Sequence, residues 1–269
     1  MRICFIGGGN MAGALIGGLR RAGTPGAELG AIEIDAARRA QLEREFGIVT
    51  RAAPDASIEP CEVLVLAVKP QQMKEVCAVL RPYVRAQLVL SIAARIRAAD
   101  LARWLGTQCI VRAMPNTPAL VGRGITGMAA LAAVSAPQRQ TAEQILRAAG
   151  AVVWFADDAQ IDAVTALSGS GPAYVFYFIE ALIAAGRAMG FDEIQARCLA
   201  LETVAGAAHL AAASDEPLPA LRARVTSKGG TTAAAIARME ADQLQDRIVA
   251  AVLAARQRAA ELGDEFSRD

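Results

Sequence analysis

The sequence predicts an α/β protein in which a Rossmann-type, doubly wound and mostly parallel sheet is followed by an all-α domain. Short apolar runs alternate with helical patterns up to about residue 155, which is typical of βαβ units. From Asp157 onward the strand-like runs stop, and Ala-rich helical periodicity takes their place. We therefore expect two domains, residues 1–156 and residues 157–269.

Eight apolar runs predict the strands of the sheet. They are rich in Val, Ile and Leu without polar alternation, which suits strands buried on both faces. They cover residues 3–6, 31–34, 48–50, 63–68, 88–92, 109–113, 125–131 and 151–155. Helical patterns between them cover residues 11–22, 35–46, 71–79 and 138–149. The second half is expected to hold helices over residues 159–189, 192–213, 218–225, 232–239 and 241–262, with Asp192 as an N-cap.

A glycine-rich turn follows the first predicted strand and opens the first predicted helix. It reads Gly7, Gly8, Gly9, Asn10, Met11 and Ala12, a G-x-G-x-x-A pattern. Glycine lets the backbone turn sharply and approach a diphosphate without a Cβ in the way. The following helix directs its free N–H groups and the positive end of its dipole at the same anion. The strand–turn–helix context predicts a dinucleotide site rather than a turn without a ligand.

Residues at the end of the second predicted strand bear on which dinucleotide binds. Asp35 stands where an acidic residue accepts a hydrogen bond from the ribose 2′-hydroxyl of NAD. Arg38 and Arg39 lie about one helical turn further on, where a guanidinium can hold the 2′-phosphate of NADP. Simple solvent exposure is the alternative for both arginines. The sequence therefore leaves the choice between the two cofactors open.

A second motif interrupts the first long helix of the helical half. Gly169, Gly171 and Pro172 are unfavourable residues inside a helix. Either a closely approaching backbone or ligand compensates for them, or they form a kink between two packed helices.

A third motif, residues 226–232, separates two predicted helices and ends in Gly229, Gly230, Thr231 and Thr232. It places free N–H groups at the start of the helix expected near Thr232, which suits a small carboxylate. A loop capped by a threonine side chain, without a ligand, is the alternative.

At these motifs the sequence resembles the pyrroline-5-carboxylate reductase family. Four blocks carry the resemblance, in order and across essentially the whole chain. They are residues 6–11, residues 67–70, residues 112–118, and the paired segments 168–174 and 226–232. The last two blocks are the specific ones, because many dehydrogenases share the first.

The resemblance implies a reaction, a cofactor and an oligomeric state. Hydride would pass from NAD(P)H to the imine carbon of 1-pyrroline-5-carboxylate, giving L-proline in the last step of proline biosynthesis. NADPH is the expected cofactor, with NADH as the alternative. The helical domain would interlock with a second subunit, so we expect a homodimer or a higher homo-oligomer. The Ala- and Leu-rich composition agrees, because it leaves more apolar surface than one monomer can bury.

The resemblance also implies roles for individual residues. The cofactor would be lined by Ile6, Gly7, Gly8, Gly9, Asn10, Met11, Ala67, Val68, Lys69 and Pro70, although spacing alone favours a surface position for Lys69. The backbone of Gly229, Gly230, Thr231 and Thr232 would bind the substrate carboxylate. The Thr232 hydroxyl would face the ring nitrogen, which makes Thr232 the candidate catalytic residue. Reduction of a cyclic imine needs positioning rather than a nucleophile or a metal.

Two residues depart from the family pattern. Arg95 stands where the family usually has Gly, at the end of the Ser91–Arg95 segment, so the local turn is in question. Lys228 stands where many members have Pro, and its effect on substrate is open.

Composition argues against several other classes of protein. The net charge is +1 and aromatic residues make up 4%, which argues against nucleic-acid binding. Five widely spaced cysteines and a single histidine, His209, form no metal-ligand pattern. The cysteines indicate buried free thiols in a reducing compartment. No targeting segment is recognised, and the longest apolar runs have the length of core strands. A cytoplasmic protein without a membrane span is therefore expected.

Two other functions fit the same architecture. A β-hydroxyacid dehydrogenase would use a catalytic Lys in the helical half, but Lys228 is the only lysine after Lys74 and falls in a loop. A non-enzymatic regulator that binds a dinucleotide would keep the glycine-rich turn and would need no carboxylate site.

Overall fold

The structure, a computed structural model, describes residues 1–267. Within these residues the N-terminal half is organised by one eight-stranded sheet. Its strands are β1 (Ile3–Ile6), β2 (Leu29–Ile32), β3 (Val49–Arg51), β4 (Val63–Leu66), β5 (Leu88–Ser91), β6 (Ile110–Met114), β7 (Gly124–Ala130) and β8 (Gly150–Trp154). They lie in the order β3-β2-β1-β4-β5-β6-β7-β8, and only the β6–β7 pair is antiparallel. The predicted doubly wound, mostly parallel sheet is confirmed.

The helices follow the predicted division into two halves. Those that alternate with the strands are α1 (Asn10–Arg21), α2 (Ala36–Phe46), α3 (Met73–Leu80), α4 (Ala98–Leu105) and α5 (Ala136–Arg147). After the last strand come α6 (Gln160–Val164), a π-helical segment (Thr165–Gly169), α7 (Gly171–Ala188), α8 (Glu193–Ala212), α9 (Leu218–Arg224), α10 (Thr231–Ala241) and α11 (Leu244–Ser267). The predicted N-cap Asp192 is confirmed, because its carboxylate accepts a hydrogen bond from the N–H of Gln195 in a capping box.

Strand β2 ends two residues earlier than the sequence predicted. Its register pairs Ile3 with Leu29 and Ile6 with Ile32, so the ladder to β1 ends at Ile32. Ile34, expected inside the strand, is 78% exposed and belongs to the connection to α2. The apolar run misled the prediction because Ile34 continues the hydrophobic pattern beyond the last paired residue.

The core lies on both faces of the sheet. Ile3 and Phe5 of β1 belong to one buried cluster, and Cys4 and Ile6 belong to the other. Successive side chains of a strand point to opposite faces, so a strand covered on both sides needs apolar residues at every position. This explains why β1 and β4 read as continuous apolar runs.

The chain forms two compact units. Unit 1 contains Met1–Ser170 together with Ala255 and the described residues after it, and unit 2 contains Gly171–Ala254. The predicted boundary at residue 156 lies just after the last strand, whereas the contacts divide the chain at Ser170. The C-terminal part of α11 packs in unit 1, where Arg97 bonds Asp264 at 2.6 Å and Ser267 bonds Asp100 at 2.6 Å. Residues 268 and 269 of the predicted second domain lie outside the described residues.

One segment within residues 1–267 is long and apolar enough to cross a membrane. Gln160–Ala188 contains an 18-residue window with a mean hydropathy of 1.2, of which 6% is buried. The longest apolar stretches of the chain were expected to have the length of core strands. This segment is longer. Length and composition alone are weak evidence for a span, because core helices of proteins outside membranes meet the same criterion.

Arg95, which replaces the usual glycine of the family, has a left-handed backbone conformation. Arg95 lies in the turn after β5 with φ +73°, in the left-handed region that favours glycine. The turn is therefore formed despite the side chain, at a cost of roughly 1–2 kcal/mol for a residue with a Cβ.

We expect Arg95→Gly to leave the free energy of unfolding unchanged or slightly higher. Relief of about 1–2 kcal/mol of backbone strain is offset by about 0.4–1 kcal/mol of added entropy in the unfolded chain. Arg95→Val should lower it by roughly 1–2 kcal/mol, because a β-branched residue tolerates this conformation least. Urea unfolding at one fixed protein concentration measures both, and a Val variant as stable as the Gly variant would contradict the strain.

Candidate active site

The glycine-rich turn is held against the end of β4. Gly7 has φ +100°, and a Cβ added there would lie 2.8 Å from the carbonyl oxygen of Ala67. The Gly7 N–H donates to the carbonyl of Ile32 at 2.8 Å, and the Ala67 N–H donates to the carbonyl of Ile6 at 2.8 Å. Only glycine fits between these neighbours, so the chain can reverse directly above β1. The turn lies where the strand order changes direction, the usual ligand crevice of such sheets.

The start of α1 presents backbone donors without partners. Gly9 is the N-cap, and among residues 1–267 no side chain caps the helix. Within the same residues, the N–H groups of Gly9, Asn10, Met11 and Ala12 have no hydrogen-bond acceptor. A Cβ added at Gly9 would meet nothing within 4 Å, so the space in front of these donors is open. Free amides at a helix N-terminus with open space before them suit a diphosphate.

Two charged side chains, one from the β2–α2 connection and one from α2, hold this turn in place. Glu33 Oε2 accepts from the Gly8 N–H at 2.8 Å. Arg38 donates through Nε to the Gly8 carbonyl at 2.5 Å and through Nη2 to the Gly9 carbonyl at 3.2 Å. These contacts point the carbonyl groups of the turn at Arg38, whereas the amides of Gly9 and of the first residues of α1 stay free. The Arg38 side chain is therefore bound to the backbone of the turn rather than simply exposed to solvent.

The acidic residue at the end of β2 is Glu33, not Asp35. Because β2 ends at Ile32, Glu33 is the first residue beyond it, and its Oε1 accepts from the Asp35 N–H at 2.9 Å. Asp35 is the N-cap of α2 and accepts from the N–H of Arg38 at 2.9 Å. Sequence reasoning missed Glu33 because the strand was placed two residues too late. Arg39 lies beside the same connection and donates to the carbonyls of Glu33 and Ile34.

A cavity of about 500 Å³ opens beside the turn at the carboxyl ends of β1, β2 and β4. Of the residues expected to line a cofactor, it is lined by Ile6, Gly7, Gly9, Ala67, Val68 and Lys69. Gly8, Asn10, Met11, Asp35 and Pro70 are not among its lining residues. Lys69 is exposed, as its spacing predicted, and precedes a short 3-10 turn that starts at Pro70. Its contact with a cofactor stays a prediction.

A buried ion cluster fixes the carboxyl half of β6 to the start of α6. Arg112 is 1% exposed and donates to Asp162 Oδ1 at 2.7 Å and to Asp158 Oδ2 at 3.1 Å. Within the described residues, Asp158 Oδ1 is a buried oxygen without a hydrogen-bond partner. Removing one member of such a cluster typically costs about 3–5 kcal/mol, because a buried charge is left unpaired. Arg112 therefore has a structural role.

Unit 2 contains the second set of free backbone donors. Helix α10 begins at Thr231 with Gly230 as N-cap, and within residues 1–267 no side chain caps it. Gly229 has φ +73°, and the Gly230 N–H donates back to the carbonyl of Ser227 at 3.0 Å. Among the described residues nothing accepts from the N–H groups of Thr231, Thr232 and Ala233. The alternative, a loop capped by a threonine side chain, is wrong, because glycine is at the cap and both threonines lie inside the helix.

The side chains of this loop differ in exposure. Thr232 is half-buried, whereas Thr231, Gly229 and Lys228 are exposed. Lys228 lies in the turn before the helix rather than on a helix face. That placement gives no support to a catalytic lysine in the helical half.

Two family models match separate regions of the chain. A family model described as pyrroline-5-carboxylate reductase dimerisation matches residues 158–262. A model described as NADP oxidoreductase coenzyme F420-dependent matches residues 2–95. The chain is 46% identical to a pyrroline-5-carboxylate reductase of Pseudomonas aeruginosa, over 99% of this chain and 98% of that protein.

The chain belongs to the pyrroline-5-carboxylate reductase family. Solved structures of the family agree over nearly the whole length. A pyrroline-5-carboxylate reductase from Coxiella burnetii has a TM-score of 0.93 and 39% identity, covering 97% of this chain and 98% of that one. The Plasmodium falciparum enzyme, solved with NADP bound, has a TM-score of 0.86 and 28% identity, covering 98% of each chain. The resemblance seen in the sequence is therefore confirmed.

The dimerisation model places homo-oligomer formation in the helical region. Helices α7 and α8 of unit 2 carry large apolar side chains that are exposed in the single chain. They include Val175, Phe176, Tyr177, Phe178, Ile194 and Leu199. Patches of this kind on a protein surface mark interaction sites. The chain accordingly forms a homo-oligomer, as expected for the family.

Gly9→Ala tests the first set of donors. We expect at least about tenfold weaker NADPH binding, because a methyl group would enter the space before the free amides. Gly9 has φ −62°, which alanine adopts, so the free energy of unfolding should fall by about 1 kcal/mol or less. Fluorescence titration and urea unfolding measure the two effects.

Gly206→Ala, at a helical glycine in unit 2 with open space around it, is the matched control. It should leave NADPH affinity unchanged. Unaltered NADPH binding by the Gly9 variant would show that the diphosphate binds elsewhere.

Proposed function

We propose that this chain is a pyrroline-5-carboxylate reductase that transfers a hydride from NAD(P)H to the imine carbon of 1-pyrroline-5-carboxylate, giving L-proline. The observation that carries the proposal is the pair of uncapped helix N-termini, each preceded by glycine, in a chain of this family. One set of amides suits a diphosphate, and the other suits a carboxylate. A protonated cyclic imine is already electrophilic, so its reduction needs donor and acceptor held in near-attack geometry.

The dinucleotide fits the residues of unit 1. Gly9, Asn10, Met11 and Ala12 would hold the diphosphate through their N–H groups, and the open space at Gly9 leaves room for it. The segments Ile6–Gly8 and Ala67–Pro70 would flank the bound molecule on either side of the turn. When bound, the reduced nicotinamide supplies the hydride. The protein residues orient it and exclude water.

We propose NADPH as the preferred cofactor, with NADH as the alternative. Both Glu33 carboxylate oxygens accept from backbone N–H groups, of Gly8 and Asp35, which ties this carboxylate to the turn. Asp35 is similarly engaged as a helix cap. The Arg39 guanidinium lies at the same end of β2, where it would face a 2′-phosphate. The Plasmodium relative with NADP bound supports this preference.

Arg39→Ala tests this assignment. We expect the KM for NADPH to rise about tenfold or more while the KM for NADH changes less than about twofold, because only NADPH carries the phosphate. Arg44→Ala, an exposed arginine in the last turn of α2, is the matched control and should change neither constant. Equal increases for both cofactors would place Arg39 in the structure of the turn rather than at the 2′-phosphate.

The substrate would bind at the start of α10. Its carboxylate would accept hydrogen bonds from the free N–H groups of the first helical turn, with Gly229 and Gly230 allowing the close approach. The Thr232 hydroxyl would face the ring nitrogen and orient the imine. No group of three or more His, Cys, Asp or Glu that could hold a metal occurs within residues 1–267. Positioning by backbone amides and one hydroxyl is the mechanism that these residues support.

Thr232→Ala is expected to lower kcat/KM for 1-pyrroline-5-carboxylate by about tenfold or more, while NADPH affinity stays within about twofold. Thr232→Ser retains the hydroxyl and should recover much of the activity. NADPH oxidation on addition of substrate measures turnover, and fluorescence titration measures cofactor binding. Collapse of NADPH affinity in the alanine variant would show that this loop belongs to the cofactor site.

The same assay, run with NADPH and with NADH, tests the proposed function itself. Proline must appear in step with cofactor oxidation. Lack of turnover with either cofactor, together with intact NADPH binding, would indicate the dinucleotide-binding regulator. Turnover of β-hydroxyacids instead would indicate the dehydrogenase, which the exposed loop position of Lys228 does not favour.

We further propose a cytoplasmic enzyme that works as a homodimer or a larger assembly. All five cysteines are free, although they are less uniformly buried than expected. Cys4 and Cys77 are buried, Cys61 and Cys109 are half-buried, and Cys198 is exposed. Free thiols in these positions fit a reducing compartment. That the enzyme binds neither nucleic acid nor membrane stays a prediction from its sequence.

A further inference from the structure

The π-helical segment Thr165–Gly169, here called the π turn, is followed by Pro172, which lacks the N–H that an α-helix would direct at one of its carbonyls. In an α-helix the carbonyl of Ser168 accepts from the N–H of the residue four positions later. That residue is Pro172, which has no N–H. Short π-helical stretches inside helices occur frequently at functional sites. The Ser168 carbonyl therefore needs a donor other than the N–H at position 172.

Asn116 supplies that donor. Its Nδ2 donates to the Ser168 carbonyl at 3.1 Å, and its Oδ1 accepts from the Ile125 N–H at 2.9 Å. Asn116 is 9% exposed, so its amide lies largely out of water. A buried amide with both ends engaged holds its partners in one geometry. Asn116 thus ties the π turn to the β6–β7 connection.

A second contact comes from the end of β6. A Cβ added at Gly169 would lie 2.6 Å from Met114 Cε, so the Met114 side chain packs on the π turn where glycine leaves room. Two residues of one short segment therefore contact the turn, one through a hydrogen bond and one through packing. This explains why glycine and proline are tolerated in the helix at this point.

The contacts lie at the carboxyl edge of the sheet. Strands β1, β4, β5 and β6 are neighbours and run parallel, so the end of β6 is on the same edge as the glycine-rich turn. A dinucleotide in such a sheet extends along this edge from the point where the strand order reverses. With the adenosine half beside β2, as the proposed function has it, the nicotinamide half extends towards β5 and β6.

We propose that Asn116 is a positioning residue for hydride transfer, which acts through the Ser168 carbonyl to hold the π turn beside the nicotinamide half of the cofactor. The inference rests on the proposed function. The Asn116 side chain bonds to Ser168 and Ile125 rather than to the amides at the start of α1. Its loss should therefore change the rate of the chemical step more than the binding of NADPH.

The first test is a comparison of Asn116→Ala with Gln87→Ala. Gln87 is a buried amide at the amino end of β5, with contacts to the carbonyls of Glu59 and Tyr83, so its loss removes equivalent interactions away from the carboxyl edge. For Asn116→Ala we expect kcat to fall about tenfold to a hundredfold, with the KM for NADPH within about twofold. Gln87→Ala should lower the melting temperature and leave kcat near the parent value.

A double-mutant cycle tests whether the effect runs through the Ser168 carbonyl. Pro172→Ala restores the N–H that would donate to the Ser168 carbonyl in an α-helix. The loss of kcat caused by Asn116→Ala should therefore be smaller in the Pro172→Ala background than in the parent. Equal losses in the two backgrounds would overturn the assigned route.

Gly169→Ala tests the same role if Asn116→Ala does not fold. Gly169→Ala pushes against Met114 and shifts the π turn without altering Asn116, and it should reproduce the loss of kcat. Parent-like kcat in a folded Asn116 or Gly169 variant would refute the positioning role. Failure of the parent enzyme to turn over 1-pyrroline-5-carboxylate would instead refute the proposed function.

Discussion

The close approach of Gly7 to the carbonyl of Ala67 is the constraint on which the cofactor site depends. With no Cβ in this contact, the chain leaves β1, reverses above the sheet and starts α1 within three residues. A side chain at position 7 would separate the turn from β4 and would have to adopt φ +100°. The orientation of the free amides at the start of α1 follows directly from this one contact.

The enzyme proposed here recognises its ligands largely through backbone groups. Both sets of free amides come from helices that begin without a side-chain cap, and glycine precedes each. Charged side chains hold these backbone groups in place. Arg38, for example, binds the carbonyls of the glycine-rich turn. A reaction that requires alignment of hydride donor and imine needs little more from the protein than such fixed donors.

The sequence was sufficient for the sheet, the glycine-rich turn and the family, because these leave local signals in apolar runs and glycine positions. Prediction from the sequence failed where contacts between distant parts of the chain determine the structure. Ile34 extends an apolar run, but the register with β1 ends β2 at Ile32, so Glu33 rather than Asp35 is the acidic residue at the strand end. The role of Asn116 could not be predicted either, because its partner Ser168 is 52 positions away.

A ligand-bound structure is the most direct test of the central claim that two uncapped helix N-termini bind the two anions. Crystals grown with NADPH and proline should show diphosphate oxygens within hydrogen-bond distance of the Asn10 and Met11 amides. The proline carboxylate should lie against the amides of Thr231 and Thr232. Either anion held mainly by side chains, or bound at another place on the chain, would contradict the account.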